Sequence, residues 1–306
     1  HCAHLSDPGI YRRTGDIPDP RRSSLPGVNT VTELVPGKAV VIAPGVRRLI
    51  APNPGMMTGP GTNTYLIGEG DVAVIDPGPR IAKHLDAIQA QSPGEIRWIL
   101  CTHTHPDHSP GAAPLASATG AELHGLPAPD GKVQDKTFRP DVMPNDGDIL
   151  EGPDFAIRAV HTPGHASNHV CYRHESHAML FTGDHIMSGS TVVIDPPDGN
   201  MKHYLESLER LKGLDLESLA PGHGPVIEDP LEVVDWLISH RLKRESRVIT
   251  AMQAHPNETL STLTPHVYED VDQKLHRLAS RSLLAHLLKL EIDGRAICVD
   301  EKWRLK

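Results

Sequence analysis

The sequence contains little cysteine and no long apolar segment. Its 306 residues include four cysteines, none in a C-x-x-C pair, and their spacing shows no disulfide framework. We therefore interpret them as reduced thiols and predict a cytoplasmic location. The longest apolar runs, such as residues 39–43, are far shorter than the ~20 residues that span a bilayer, and the opening residues lack the pattern of a signal peptide. We accordingly expect no membrane partner.

Positive charge is scarce relative to negative charge. The chain has 30 Lys and Arg against 39 Asp and Glu, which gives a net charge of −9. This balance argues against a protein that coats nucleic acid over its whole surface, although it allows a local basic surface. Histidine, in contrast, is abundant, with 20 residues. Neutral imidazole is the commonest metal ligand in proteins, so this composition indicates metal binding.

Hydrophobic patterning divides the chain into three parts. Residues 1–30 are rich in Pro, Arg, Asp and Ser and predict a loose N-terminal arm. In residues 31–229, strands are predicted at 39–43, 46–51, 64–67, 72–75, 96–101, 155–160, 170–172, 179–182 and 191–194, and helices at 81–90, 112–119 and 202–211. No G-x-G-x-x-G motif follows a strand. This part therefore predicts an α/β sandwich rather than a doubly wound sheet.

Residues 230–306 have a different hydrophobic pattern, dominated by helical spacing. Amphipathic spacing predicts helices at 231–254, 260–268 and 271–290, and a hairpin from 296–299 and 302–305. Three helices followed by a hairpin are typical of a winged-helix domain. Its first helix carries a basic cluster, which could contact phosphates or form a solvated face: Arg241, Lys243, Arg244 and Arg247. The last helix is too rich in leucine for base readout, so we expect no sequence-specific DNA binding.

One histidine-rich segment follows the strand predicted at 96–101. It reads Thr102-His103-Thr104-His105-Pro106-Asp107-His108, an H-x-H-x-D-H pattern. Because alternate residues of an extended turn point the same way, His103 and His105 can bind one ion, while Asp107 and His108 can reach a second. Zn²⁺ accepts imidazole and carboxylate ligands of this type. The alternative is a polar loop of solvated histidines.

Three further strand ends offer a ligand next to a glycine, where the backbone can approach closely. These ligands are His165 after Gly164, Asp184 after Gly183, and His223 between Gly222 and Gly224. Four separate strand ends that each deliver a ligand are hard to explain by packing alone. The pattern therefore predicts that distant segments meet around metal ions.

In this order of motifs the sequence resembles the metallo-β-lactamase superfamily. The resemblance implies a four-layer αββα sandwich, here with a smaller C-terminal winged-helix-like domain. It implies that His103, His105 and His165 hold one metal, that Asp107, His108 and His223 hold the other, and that Asp184 bridges both. The implied cofactors are two Zn²⁺ ions, with Mn²⁺ or Fe as alternatives.

Three other segments narrow the resemblance to the β-lactamase-like protein 2 family, which carries a C-terminal winged-helix-like domain. They are residues 53–66, residues 221–227 and Ser239-His240-Arg241. The bridging Asp184 is shared with superfamily members that hydrolyse phosphodiesters or thioesters, whereas the β-lactamases lack it. We therefore expect β-lactam hydrolysis as a side activity at most.

The expected chemistry is hydrolysis by a metal-bridging hydroxide, with Asp107 as both ligand and orienting group. His169 could contact the leaving group, brace Asp184, or be a purely structural histidine. The first hypothesis is an endoribonuclease acting on the phosphodiesters of single-stranded RNA. The second is a thioesterase or lactonase acting on a small metabolite, and the third is a non-enzymatic, metal-stabilised scaffold. A homo-oligomer is compatible with the sequence.

Overall fold

A computed structural model describes residues 34–131 and 133–306, so the arm predicted at residues 1–30 lies outside the described residues. The first part of the described chain forms a six-stranded sheet with two helices. In spatial order, its strands are Val40–Ala43 (β1), Val46–Ile50 (β2), Asn63–Ile67 (β3), Asp71–Ile75 (β4), Glu95–Leu100 (β5) and Glu122–His124 (β6). The helices are Ala82–Gln91 (α1) and Ala112–Thr119 (α2). Strands β1 to β4 pair antiparallel, and β4, β5 and β6 pair parallel.

The next part forms a five-stranded sheet in the spatial order β11-β10-β9-β8-β7. Its strands are Ile149–Glu151 (β7), Ala156–His161 (β8), Val170–His174 (β9), Met179–Gly183 (β10) and Ser218–Pro221 (β11), and helix Met201–Leu211 (α3) precedes β11. Neighbouring strands are antiparallel except for β10 and β11. Consequently β8, β10 and β11 all run in the same direction.

Alternation along the strands stacks the two sheets between helices. Successive side chains of a strand point to opposite faces of its sheet. On β4, Ile75 lies in the apolar layer between the two sheets, whereas Val74 packs against α1 and α2. On β9, Tyr172 lies in the same central layer, whereas Cys171 packs on the side of α3. The layers therefore run helix, sheet, sheet, helix, and the predicted αββα sandwich is confirmed.

The C-terminal part consists of helices and a small antiparallel sheet. Its helices are Pro230–Ala254 (α4), Leu260–Val267 (α5) and His276–Ile292 (α6), with a 3₁₀ turn at Gln273–Leu275. Strands Glu258–Thr259 (β12), Ala296–Val299 (β13) and Lys302–Leu305 (β14) pair in the spatial order β12-β14-β13. Leu263, Leu283 and Trp303 belong to the core that these elements share. This arrangement matches the predicted winged-helix-like domain.

Helix α4 contributes to two cores. Val234 and Leu237, in its first half, are buried together with α3, whereas Val248 and Met252, in its second half, are buried with α5 and α6. The helix therefore connects the sandwich to the C-terminal part by packing as well as by sequence. No helix within residues 34–131 and 133–306 combines the length and apolar character needed to cross a membrane.

The strand predicted at residues 191–194 is wrong. These residues form an irregular segment between β10 and α3. Val192 and Ile194 are buried in the core beneath α3 and α4. Their β-branched side chains thus reflect burial, and no strand in the described part of the chain pairs with them. Strands β6, β7 and β12 were not predicted, because runs of two or three residues carry too little periodicity.

Candidate metal centre

The predicted ligands meet at one edge of the sandwich. His103, His105, Asp107 and His108 lie in the loop after β5; His165 follows β8, Asp184 follows β10 and His223 follows β11. Because β8, β10 and β11 run in the same direction, their carboxyl ends fall on one side of the second sheet. The seven side chains gather there in two groups, each with its ligand atoms within 4.8 Å of one another.

The first group consists of three imidazoles. Nδ1 of His105 lies 3.0 Å from Nε2 of His103 and 2.9 Å from Nε2 of His165. Nitrogens bound to a tetrahedral zinc ion at about 2.0–2.1 Å lie roughly 3.3 Å apart, which is close to these separations. Burial lowers the pKa of His105 to about 3 and holds the pKa of His103 well below its ordinary value. The rings of His103 and His105 are therefore neutral at pH 7, the state in which imidazole binds a metal.

The second group contains Asp107, His108, Asp184 and His223. Nε2 of His223 lies 3.2 Å from Asp107 Oδ2 and 3.3 Å from Asp184 Oδ1. Nε2 of His108 lies 3.5 Å and 3.4 Å from the same two oxygens. Nε2 of His108, Nε2 of His223 and Oδ1 of Asp184 are buried, and none of the three has a hydrogen-bond partner among the described residues. Buried polar atoms are rarely left unpaired, so this convergence fits a divalent cation.

The charges of the second group support the same interpretation. Burial would lower the pKa of His223, but the carboxylates of Asp184 and Asp107 outweigh it and raise this pKa to about 9. The same competition raises the pKa of His108. Burial would raise the pKa of Asp184, but His223 and His108 lower it well below its ordinary value. The carboxylates thus require nearby positive charge, which two protons supply here and a metal ion would replace.

Asp184 lies between the two groups. Its Oδ1 faces His108 and His223, and its Oδ2 lies 3.7 Å from His165 Nε2. One carboxylate thus presents an oxygen to each group, as a bridging ligand must. Gly222 makes this approach possible, because a Cβ at that position would lie 2.8 Å from Asp184 Oδ1.

A second layer of hydrogen bonds orients the ligands, and its central residue, Asp76, was not predicted. Asp76 follows β4 and accepts hydrogen bonds from Thr102 N at 2.7 Å, Thr102 Oγ1 at 2.7 Å and His108 Nδ1 at 2.8 Å. The Nδ1 donors of His165 and His223 bond to the carbonyls of Val193 and Gly61. In each case the hydrogen bond from Nδ1–H fixes the ring so that Nε2 is the nitrogen facing the site, where a metal ion would bind. A carboxylate immediately after a buried strand was the available sequence signal.

His169 lies behind the metal ligands rather than in front of them. Its ring is fully buried, stacks on His103 with 5.0 Å between centroids, and bonds through Nδ1 to Thr162 Oγ1 at 2.9 Å. Contact with a leaving group would require this ring to reach the substrate, and the burial does not allow it. We therefore interpret His169 as a positioning residue for His103, whereas Asp107 stays partly exposed at the site.

Comparison with known proteins agrees with this architecture. Residues 57–223 match the model of the metallo-β-lactamase superfamily, and residues 259–303 match the β-lactamase associated winged helix domain. The Drosophila melanogaster "Beta-lactamase-like protein 2 homolog" is 33% identical over 270 residues, which cover 82% of this chain and 89% of that protein. The fold and the His/Asp site are those of a metal-dependent hydrolase. The chain belongs to the metallo-β-lactamase superfamily, and the resemblance predicted from its motifs is confirmed.

Two further similarities extend this result. An Aspergillus fumigatus protein named "Atrochrysone carboxyl ACP thioesterase" is 32% identical over 222 residues, which cover 70% of this chain and 66% of that protein. The crystal structure of a β-lactamase domain protein from Burkholderia ambifaria superposes with a TM-score of 0.77 at 21% identity, covering 92% of this chain and 97% of that chain. The Burkholderia ambifaria structure therefore supports the fold of both the sandwich and the C-terminal part.

Proposed function

We propose that this protein is a dinuclear metal-dependent thioesterase that hydrolyses acyl thioesters with an apolar acyl group. The observation that carries the proposal is the composition of two loops that adjoin the metal ligands. They are residues 53–61, whose Gly61 carbonyl accepts from His223 Nδ1, and residues 187–199, whose Val193 carbonyl accepts from His165 Nδ1. Neither loop contains a lysine or an arginine.

The first of these loops offers apolar surface instead of positive charge. Met56 is 72% exposed and Met57 is 49% exposed. Methionine is flexible and polarisable, so such a pair adapts to an acyl chain of variable shape. A polyanion such as RNA needs cations near its phosphates, and these two loops supply none. The loops therefore favour an uncharged apolar substrate group.

The proposed roles of the residues follow from their positions. His103, His105 and His165 would hold one divalent cation, Asp107, His108 and His223 the other, and Asp184 both. Such ions supply an activated water as the nucleophile and a Lewis acid for the acyl oxygen. Asp107 is the partly exposed carboxylate of the site and lies 3.2 Å from His223. It can orient the nucleophile and accept its proton.

The leaving group gives a second argument for thioesters. A thiol with a pKa near 8.5 can depart as thiolate, whereas an alcohol is far more basic and benefits from a general acid. His169, the histidine that we considered for this task, is fully buried behind His103. The site therefore suits a substrate whose leaving group needs no proton from the protein. The 32% identical relative named as an acyl carrier protein thioesterase is consistent with this chemistry.

The test is a substrate panel with the zinc-loaded protein. It contains acyl thioesters of increasing chain length, labelled single-stranded RNA and a chromogenic β-lactam. We expect thioester hydrolysis that falls at least about 10²-fold in Asp107→Asn, as for loss of a general base, but not in Asp86→Asn, an exposed control on α1. Met56→Ser with Met57→Ser should raise KM for long acyl chains only, and Val41→Ser on edge strand β1 should not. Thioesters that remain intact would refute the proposal.

A second candidate is the endoribonuclease activity on single-stranded RNA. The winged-helix match at residues 259–303 favours it, because this architecture commonly contacts nucleic acid. However, the basic cluster on α4, for which both phosphate contact and a solvated face were considered, is largely engaged within the protein. Arg244 and Arg247 both pair with Asp270, and Arg241 is buried and bonds to the Val192 carbonyl. Asp107-dependent cleavage of RNA by a protein inactive on thioesters would reverse the order of the two candidates.

A further inference from the structure

Arg241, on α4, reaches out of the C-terminal part toward the metal site. Its side chain is only 4% exposed. One guanidinium nitrogen donates to the Val192 carbonyl at 2.5 Å, and the guanidinium carbon lies 5.4 Å from the centroid of the Tyr204 ring. The cation is therefore fixed between the loop at residues 187–199 and the first turn of α3.

Both partners of Arg241 support the same metal ligand. The residue after Val192 is Val193, whose carbonyl accepts the 2.8 Å hydrogen bond from His165 Nδ1. Tyr204 packs against Gly164, the residue before His165, so closely that a Cβ on Gly164 would lie 2.4 Å from the Tyr204 Cα. The imidazole of His165 is thus held on one side through the loop and on the other through α3.

We propose that Arg241 is a positioning residue for the three-histidine group, and that α4 thereby couples the C-terminal part to the metal centre. By fixing the Val192 carbonyl and the Tyr204 ring, Arg241 keeps the Val193 acceptor and Gly164 in place. His165 then presents Nε2 to the position that His103 and His105 also face. This inference does not depend on which substrate the protein hydrolyses.

A second contact from the C-terminal part acts on the same loop. Arg281, on α6, donates to Asp195 Oδ2 at 3.1 Å. Its side chain is half exposed, so the contact is weaker than that of Arg241. Helices α4 and α6 thus both contact the loop at residues 187–199. This loop forms no strand, so backbone pairing does not hold it in place.

Co²⁺ binding to the metal-stripped full chain, followed by its visible absorption, tests this proposal without reference to activity. His165→Ala and His223→Ala identify which binding step belongs to which ligand group. We expect Arg241→Met to weaken the step assigned to the three-histidine group by about tenfold, the lower end of the effect of removing an outer ligand support. The step assigned to His223 should not change. Lys243→Met, two residues further along α4 and exposed, is the control and should alter neither step.

The competing outcomes are distinct. An Arg241→Met protein that folds and binds Co²⁺ like the parent overturns the proposal. Equal weakening of both steps also overturns it, because that result means general destabilisation. If Arg241→Met does not fold, Arg241→Lys decides, because it keeps the charge but cannot reproduce the planar donor group between the Val192 carbonyl and the Tyr204 ring. We expect it to weaken the three-histidine step and not the step assigned to His223, and an unchanged three-histidine step overturns the proposal.

Discussion

Replacement of Asp76 by asparagine should disable one of the two ligand groups without removing a ligand. Asp76 is 2% exposed and accepts from Thr102 N, Thr102 Oγ1 and His108 Nδ1. An amide nitrogen donates and cannot accept. If the amide oxygen keeps the Thr102 N–H, the amide nitrogen faces His108 Nδ1, which can then carry no proton, so that the proton of the neutral ring lies on Nε2. That proton then occupies the lone pair directed at Asp107 and Asp184. The opposite amide orientation sets donor against donor at Thr102.

The magnitude follows from the role of such outer partners. Loss of a partner that fixes a ligand histidine typically weakens metal binding 10- to 100-fold, which is about 1.4–2.7 kcal/mol. Loss of the charge-assisted bond to His108 should also lower the free energy of unfolding by about 1.5–3 kcal/mol. Calorimetric titration of the metal-stripped protein with Zn²⁺ measures the first quantity and urea unfolding the second. Asp71→Asn, at the start of β4 and in a surface pair with Arg97, is the matched control.

The result that would refute this reasoning is a folded Asp76→Asn protein that binds Zn²⁺ with the stoichiometry and affinity of the parent. It would mean that the tautomer of His108 is set by some other contact. A variant that loses affinity together with the Asp71→Asn control would also contradict it, since the effect would then come from net charge alone.

Three further predictions concern the site and its surroundings. Gly222→Ala should reduce bound zinc in elemental analysis, because its Cβ would meet Asp184 Oδ1 and His108 Cε1 at 2.8 Å, whereas Gly213→Ala, with only an ordinary 3.5 Å contact, should not. For protein held with free metal at 1,000 times Kd, removal of the metal with a chelator should lower the free energy of unfolding by about 4 kcal/mol and therefore lower Tm. An unchanged Tm would exclude these ligands as a metal site. Burial and nearby cations hold the pKa of His286 well below its ordinary value near 6.5, so only the unfolded chain takes up this proton as pH falls below about 6.5. The free energy of unfolding, measured by urea titration, should therefore decrease from pH 7 to pH 5, and it should decrease less in His286→Leu. An equal decrease in the two proteins would contradict this assignment.

The ligands could be predicted from the sequence because each has a local signature. The H-x-H-x-D-H segment places four candidate donors within six residues, and His165, Asp184 and His223 each stand beside a glycine after an apolar strand. These cues depend only on strand periodicity and on which side chains bind divalent metals. Hydrophobic patterning predicted an α/β sandwich, whereas the four αββα layers were implied by the family resemblance. Val74 and Ile75 show why the pattern alone was insufficient, because both faces of β4 are buried.

Other features could not be predicted, because they depend on partners that are distant in the chain. The segment 191–194 has the composition of a strand, yet its carbonyls accept from His165 and Arg241 instead of from a neighbouring strand. Arg241 had the appearance of a surface cation on an amphipathic helix, and only its position against Tyr204 shows that it is buried. Secondary-structure propensity shows which conformations a residue can adopt, and tertiary packing decides which of them it does adopt.

The sequence by itself determined the chemistry of the site: which side chains can donate to a metal, and that they follow strand ends. It also determined the longer helices and most of the longer strands, because hydrophobic period is a local property of the chain, but not the short strands β6, β7 and β12. Only the tertiary structure decided how that chemistry is tuned. Asp76 orients His108 across 32 residues of sequence, and Arg241 supports the loop that orients His165 across 49. Hydrogen bonds over such separations are fixed by the packing of whole elements, and no short stretch of sequence encodes them.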